Sequence, residues 1–314
     1  MSQFAIRRLL TFIPALLAVA VVIALLMDMI PGDPVTIMLG LDAPGESINR
    51  RRIELGLDRP MHVRLLEWLT NALRGDLGQS IILEKSVSQT IAERYSVTIS
   101  LALFALAVAL AVGLPAGIVA SVKQGTWIDW AVTTSALLWL SLPGFWIALN
   151  LIFLFSVRLG WFPVGGFVPV TENPLDFLKH LVLPAVSMGL GSAGILARFT
   201  RTSMLEVLRM DYIGTARAKG LREIVVLLRH ALKNALIPII TMVGISFGDM
   251  LGGAVISELV FNMPGVGRMV LDAVKRRDYP LIQGGIFVVT ATYLMVNLLV
   301  DLLYAWADPQ IRFE

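Results

Sequence analysis

Few side chains in this sequence could do chemistry, and those few are not grouped as an enzyme would need. There is no cysteine, which removes disulfides, thiolate catalysis and cysteine-ligated metal. The three histidines, His62, His180 and His230, stand far apart, so each reads as an interfacial or structural residue and not as a ligand. The sequence contains no G-x-x-x-x-G-K-[ST] loop for a nucleotide, no zinc H-E-x-x-H and no G-x-S-x-G nucleophile elbow. Gly189-Leu190-Gly191-Ser192-Ala193-Gly194 spells the dinucleotide pattern G-x-G-x-x-G. No strand precedes it and it sits in an apolar run, so close helix packing is the expected role.

Two features remain. Asp249 is a carboxylate inside an apolar run, which is costly unless it faces a cavity or finds a partner. It is expected either to line a pathway on the outer half of its helix or to hydrogen-bond a neighbouring helix. The other feature is Asp211 to Pro238, a polar and basic island between two hydrophobic runs. Asp211 is suited to capping a short helix over Tyr212 to Lys219, and Gly220 to ending it. Gly214, Ala216 and Ala218 keep that helix thin, while Arg217 and Lys219 give it charge, so it could sit close in another protein's groove. Upstream, Ser203-Met204-Leu205-Glu206 has capping-box spacing and predicts a separate amphipathic helix. Downstream, Ile224 to Asn234 mixes apolar and basic residues, and Pro238 marks the start of the next hydrophobic span.

The rest of the chain is apolar enough to need a membrane. Its 314 residues are 56% hydrophobic and 16% charged, with a mean hydropathy of +0.76. Soluble domains carry about a quarter charged residues. The net charge of +3 needs no nucleic acid to explain it. A hydrocarbon core takes about 20 helical residues to cross, and six apolar stretches approach or exceed that length. They run near Leu9 to Ile30, Val97 to Ser121, Trp130 to Ser156, Leu181 to Ala197, Leu236 to Ser257 and Leu281 to Tyr304. Met1 to Met27 has Arg7 and Arg8 before its apolar run, as a secretory signal would, but the run is too long for one and is kept as an uncleaved first helix. The expected fold class is therefore all-α, a polytopic membrane protein with six transmembrane helices.

With the N-terminus inside, basic residues number 12 inside and 14 outside. The positive-inside rule counts short loops, and Pro31 to Arg94 exceeds its limit of about 60 residues. Setting that segment aside leaves 12 against 6, which puts both termini and the Asp211 loop in the cytoplasm. Within the long segment, Pro31-Gly32-Asp33-Pro34 stops the first helix. Val63, Leu66, Leu69 and Leu73 then give an amphipathic helix over His62 to Leu73, with Trp68 at the interface. Gly113 and Gly117, and again Gly248 and Gly252, have the small-xxx-small spacing of closely packed membrane helices.

Several of these stretches together carry a resemblance. Tyr212-Ile213-x-Thr215-Ala216-Arg217-Ala218-Lys219-Gly220-Leu221, followed by His230-Ala231-Leu232-x-Asn234-Ala235 and Pro238, resembles the cytoplasmic "EAA" loop of ABC importer permeases, in its dipeptide, oligopeptide and nickel branch. Gly214-Thr215-Ala216 stands where the general pattern has Glu-Ala-Ala. Pro31-Gly32-Asp33-Pro34, Gly75-Asp76-Leu77-Gly78, Phe261 to Gly267, Arg277-Asp278-Tyr279-Pro280 and Asp308 to Arg312 are similar to the same branch, so the resemblance covers nearly the whole chain. Lys275-Arg276-Arg277 would face outward, as a solvated surface or toward an acidic partner.

The resemblance implies a type I ABC importer permease fold, as the first permease of a heterodimeric pair. It divides the chain into a first helix plus long periplasmic segment (1–94), a core permease domain (95–308) with coupling loop 198–235, and a cytoplasmic tail (309–314). It implies that Asp211, Tyr212, Thr215, Ala216, Arg217, Ala218, Lys219 and Gly220 couple the chain to an ATPase. The implied partners are a second homologous permease, two ABC ATPase subunits, a periplasmic or lipid-anchored substrate-binding protein and membrane lipid. This chain would bind no cofactor, with ATP and Mg on the partner subunits, and would lie in a bacterial inner membrane. The cargo would be di- or oligopeptide, with nickel, glutathione, opines or oligosaccharides as alternatives. An ion-coupled secondary transporter is the competing class, although it would usually bring buried ionisable groups in two related halves. A membrane-embedded enzyme lacks a catalytic constellation.

Overall fold

The structure, a computed structural model, describes residues 2–29, 34–39, 43–54 and 56–307. The expected turn at Pro31 to Asp33 and the tail from Asp308 lie outside the described residues. Helices account for nearly all regular structure: α1 (Ser2–Met29), α2 (Pro34–Leu39), α3 (Gly45–Glu54), α4 (Met61–Ala72), α5 (Val87–Val122), α6 (Trp127–Ser141), α7 (Gly144–Leu151), α8 (Pro174–Leu208), α9 (Asp211–Ala218), α10 (Glu223–Val225), α11 (Leu232–Val260), α12 (Val266–Arg276) and α13 (Tyr279–Ala307). Among the described residues the sole β-pairing is an isolated antiparallel bridge, Gln79 with Ser86.

Four helical segments are long and apolar enough to cross a membrane: α5, α8, the run Glu223–Val260 that ends in α11, and α13. α1 holds Pro14 within an unbroken helix and has a shorter apolar stretch, Leu10–Leu26. The third expected span is not straight. α6 stops at Ser141 and its continuation, α7 with the π-helical turns Ile152–Arg158, leaves at 98°. Pro143 has no amide hydrogen and takes φ −62°, ψ 131°, so the chain turns there.

Other boundaries also moved. Asn173 accepts hydrogen bonds from the Leu175 and Asp176 amides, with Pro174 next to it, and so starts α8 before the expected Leu181. At the other end α8 continues unbroken through the buried Ser203 to Leu208, so its capping-box spacing starts no separate helix. Pro238 lies inside α11, which begins at Leu232.

Packing divides the chain into two compact units, Ser2–Thr98 with Pro264–Met295, and Ile99–Met263 with the chain from Val296. In the first, Ile23, Val87, Ile91, Val266, Met269 and Ile282 form a core. Asp278 is buried just ahead of α13 and accepts from Ser80 Oγ, from the Ile81 and Ile82 amides at 3.2 Å each, and from Leu281 N at 3.4 Å. Gly75 to Gly78 is a tight turn in which Asp76 accepts from the Gly78 amide. α4 lies where expected, but Leu66 and Leu73 are exposed and Trp68 turns inward to stack edge-on against Phe287. α12, which no sequence signal had marked, carries Arg268, Asp272 and Lys275 on one side and buries Val266, Met269 and Ala273 on the other.

The second unit is built around α8. A Cβ at Gly113 of α5 would lie 2.7 Å from the Ala193 carbonyl, and one at Gly117 would lie 2.5 Å from both Ala197 O and Thr200 Cβ. Gly189 and Gly194 of α8 meet the carbonyls of Ala105 and Ala136 in the same way. The expected close packing of these glycines is therefore present. At Gly252 it is not: nothing lies within 4 Å, and the close approach on α11 is at Gly244, against Val300.

Candidate functional site

α9 stands on two side chains. Ile213 is fully buried and Ala216 nearly so, packed among Met204, Val207, Val226, Ala231 and Ile239. Residues three apart share a helix face, so this single stripe fixes the helix to its own bundle. Asp211, Tyr212, Gly214, Thr215, Arg217, Ala218 and Lys219 are left on the exposed surface. A Cβ at Gly214 would meet nothing within 4 Å, so another chain can approach that surface closely.

The helix starts one residue earlier than expected. Met210 is the cap, in extended geometry with no side-chain capping bond, and Asp211 is the first helical residue, where its charge still suits the N-terminal dipole. The far end matches expectation. Gly220 has φ +79°, a left-handed conformation that glycine adopts without steric cost, and its amide donates to the Arg217 carbonyl at 2.9 Å.

Two ties brace the loop. Asn234 Nδ2 donates to Tyr212 Oη at 2.6 Å, and Tyr212 Oη donates to the His230 carbonyl at 3.4 Å. Arg217 forks onto Glu223 with contacts of 2.7 and 3.2 Å, and the hydrogen bond to Glu223 raises its pKa. So the expected coupling residues do not act alike: Ala216 supports from behind, Arg217 is engaged within the loop, and Lys219 is presented outward.

Asp249 belongs to a second place, a cavity of about 470 Å³ open to the surface. On α11, Asp249, Gly253 and Ser257 follow at four-residue steps, and on α8 so do Ser187, Gly191 and Ile195, giving two facing helical stripes. Trp139, Leu142 and Pro143 at the break between α6 and α7 complete the wall. Non-helical backbone at membrane depth is tolerated where it lines a cavity, and the break does so here. Asp249 is exposed and lines this space.

Sequence reasoning missed other charged groups. Arg201 of α8 reaches Asp129 in the first turn of α6, with contacts of 2.5 and 2.8 Å, and Asp129 also accepts from the Gly125 amide at 3.0 Å. Glu258, one residue past the expected end of its span, is fully buried. A carboxylate two residues after Thr-Trp at a loop end was the available signal for Asp129, but nothing in the sequence pairs it with a position 72 residues away. Among the described residues, no three His, Asp or Glu side chains are grouped to hold a metal.

Residues 113–313 match the family described as binding-protein-dependent transport system inner membrane component, and residues 1–102 match its N-terminal counterpart. A protein of Brucella abortus (strain 2308), assigned by name to a peptide transport system as a permease, is 45% identical over all 314 residues and the full length of both chains. A glutathione transport system permease of Pectobacterium atrosepticum is 42% identical, again over both full lengths. In fold, the chain is similar to a chain in an inward-facing structure of the MetNI methionine ABC transporter. The TM-score is 0.56 at 16% identity, covering 70% of this chain and 97% of the other.

Proposed function

The chain belongs to the inner-membrane components of binding-protein-dependent transport systems, the permeases of ABC importers, and we propose from this that it forms half of a translocation pathway for small peptides. It is a multi-pass inner membrane protein that works with an ATPase and a binding protein. In the finer reading, a second homologous permease supplies the other half of the pathway, two ATPase subunits dock in the cytoplasm, and a periplasmic or lipid-anchored receptor delivers cargo outside. Both termini and α9 are cytoplasmic, as the basic-residue count favours. ATP and Mg belong to the ATPases, and this chain binds no cofactor.

The observation that carries the docking reading is α9 itself: eight residues anchored by Ile213 and Ala216, with the remaining surface exposed and small. Such a helix can follow a partner's movement and pass it to the α8 and α11 ends that meet Ile213. Closure of the ATPases on ATP would then favour the outward-facing arrangement of the permease pair, and hydrolysis the inward-facing one. Each site biases the same two-state element. Peptide is favoured as cargo by the relatives' names, and glutathione, itself a tripeptide, falls in the same chemical class.

The absence of cysteine makes a direct test possible. A single cysteine at Lys219, in the assembled transporter, is expected to cross-link to a cysteine on the ATPase surface and to be shielded from a membrane-impermeant reagent outside the cell. Labelling from the outer side, or no cross-link in an active transporter, would overturn the assignment.

A further inference from the structure

The cavity beside α11 has an unbalanced charge. Among the described residues lining it, Asp249 is the one ionisable group, and the rest are aromatic or aliphatic side chains, glycines and the hydroxyls of Ser187, Ser192 and Ser257. A carboxylate in a membrane-spanning helix is disfavoured unless it faces water or meets a cation, and Asp249 is exposed to this open cavity with no cationic side chain among the described residues that line it. The carboxylate is thus open to a guest that brings the opposite charge. The neighbouring wall is suited to the remainder of such a guest: Trp139 and Phe145 offer aromatic surface, and Gly191 of α8 and Gly253 of α11 leave the facing stripes open.

We propose that Asp249 receives the free α-ammonium group of the passing peptide, so that this permease favours cargo with an unblocked N-terminus independently of the receptor's own selectivity. The inference rests on the peptide-permease reading. A peptide is charged at both ends, and a carboxylate on the wall attracts one end and repels the other. Asp249 thus orients the chain N-terminus toward α11 and keeps its C-terminal carboxylate away. Contact is transient, as passage demands: one charge-assisted hydrogen bond in a wet, open cavity is enough to bias occupancy without trapping the cargo.

The test compares uptake rates in the whole transporter, with its receptor in excess, for trialanine and glutathione and for the N-acetyl derivative of each. The quantity read is the ratio of wild-type to Asp249→Asn rate for each compound, in which the receptor's preference cancels. The expected ratio is about tenfold for the free-amino compounds, the size of one modest charged contact, and near unity for the acetylated ones. Asp249→Glu is expected to keep the wild-type pattern. Equal ratios for free and acetylated cargo would overturn the role of Asp249 while leaving peptide transport intact. A wild-type transporter that moves none of these compounds would instead overturn the peptide reading, and this one with it.

Discussion

Arg201 lies 72 residues from Asp129 in sequence, yet its Nε and one terminal nitrogen reach the two carboxylate oxygens at 2.5 and 2.8 Å. The pair ties the first turn of α6 to α8, next to the tight turn at Gly125. Only 7% of the Asp129 side chain and 27% of the Arg201 side chain is exposed. Removing one partner leaves the other charge enclosed with its hydrogen-bond geometry unmet. Arg201→Ala is expected to cost about 2–4 kcal/mol, read as a lowered thermal midpoint of the purified protein in lipid nanodiscs. The double variant Arg201→Met with Asp129→Leu should recover much of the loss, and a double variant no better than the single would refute the pairing.

The contact of α5 with α8 gives a prediction of opposite kind. Gly117→Ala places a methyl 2.5 Å from the Ala197 carbonyl, where backbone must shift, and is expected to destabilise by about 1–3 kcal/mol. Gly252→Ala meets nothing within 4 Å and should leave the midpoint unchanged or slightly raised. If the two variants melt alike, the helix packing described is wrong.

Asp278 holds together a segment nearly two hundred residues away by accepting from Ser80 Oγ and the two amides that follow, while also bonding Leu281 N at the start of α13. Asp278→Ala removes the acceptor that all of these donors share at a buried site and is expected to cost about 3 kcal/mol. Protease cutting near residues 80–85 should accelerate well before the rest of the chain unfolds. Unchanged protection of that loop would show that the clamp contributes little.

The docking proposed for α9 makes a functional prediction. Gly220→Val forces a β-branched residue to φ +79° and should displace the end of α9, at a local cost of about 1–2 kcal/mol. Lys219→Glu reverses a charge on the presented surface without touching the buried anchor. Both are expected to leave ATP hydrolysis running while uptake falls several-fold. Arg217→Glu should uncouple as well, because it breaks the link to Glu223, and Glu223→Arg in the same chain should restore part of the coupling. Normal uptake per ATP in all of these variants would count against α9 as the coupling element.

The sequence by itself determined the solvent of this protein and where α9 stops. Both are local properties: a long apolar run can satisfy its backbone in lipid only as helix, and Gly220 can end α9 because only its own φ is at stake. The glycine spacing at Gly113 and Gly117 was legible for the same reason, although which stripe finds a partner was not, since Gly252 has the same spacing and faces open space. The bend at Ser141-Leu142-Pro143-Gly144 had a visible breaker, but a proline inside a membrane helix can also be absorbed, as Pro14 and Pro184 are. What only the tertiary structure decided is which distant groups meet. Ser203 looked like a cap until α8 continued through it, Ala216 looked presented until Met204 and Ile239 covered it, and Asp129 had no visible partner until α8 brought Arg201 to it. Such pairings depend on the register of one helix against another, which burial across the whole bundle fixes and no local spacing records.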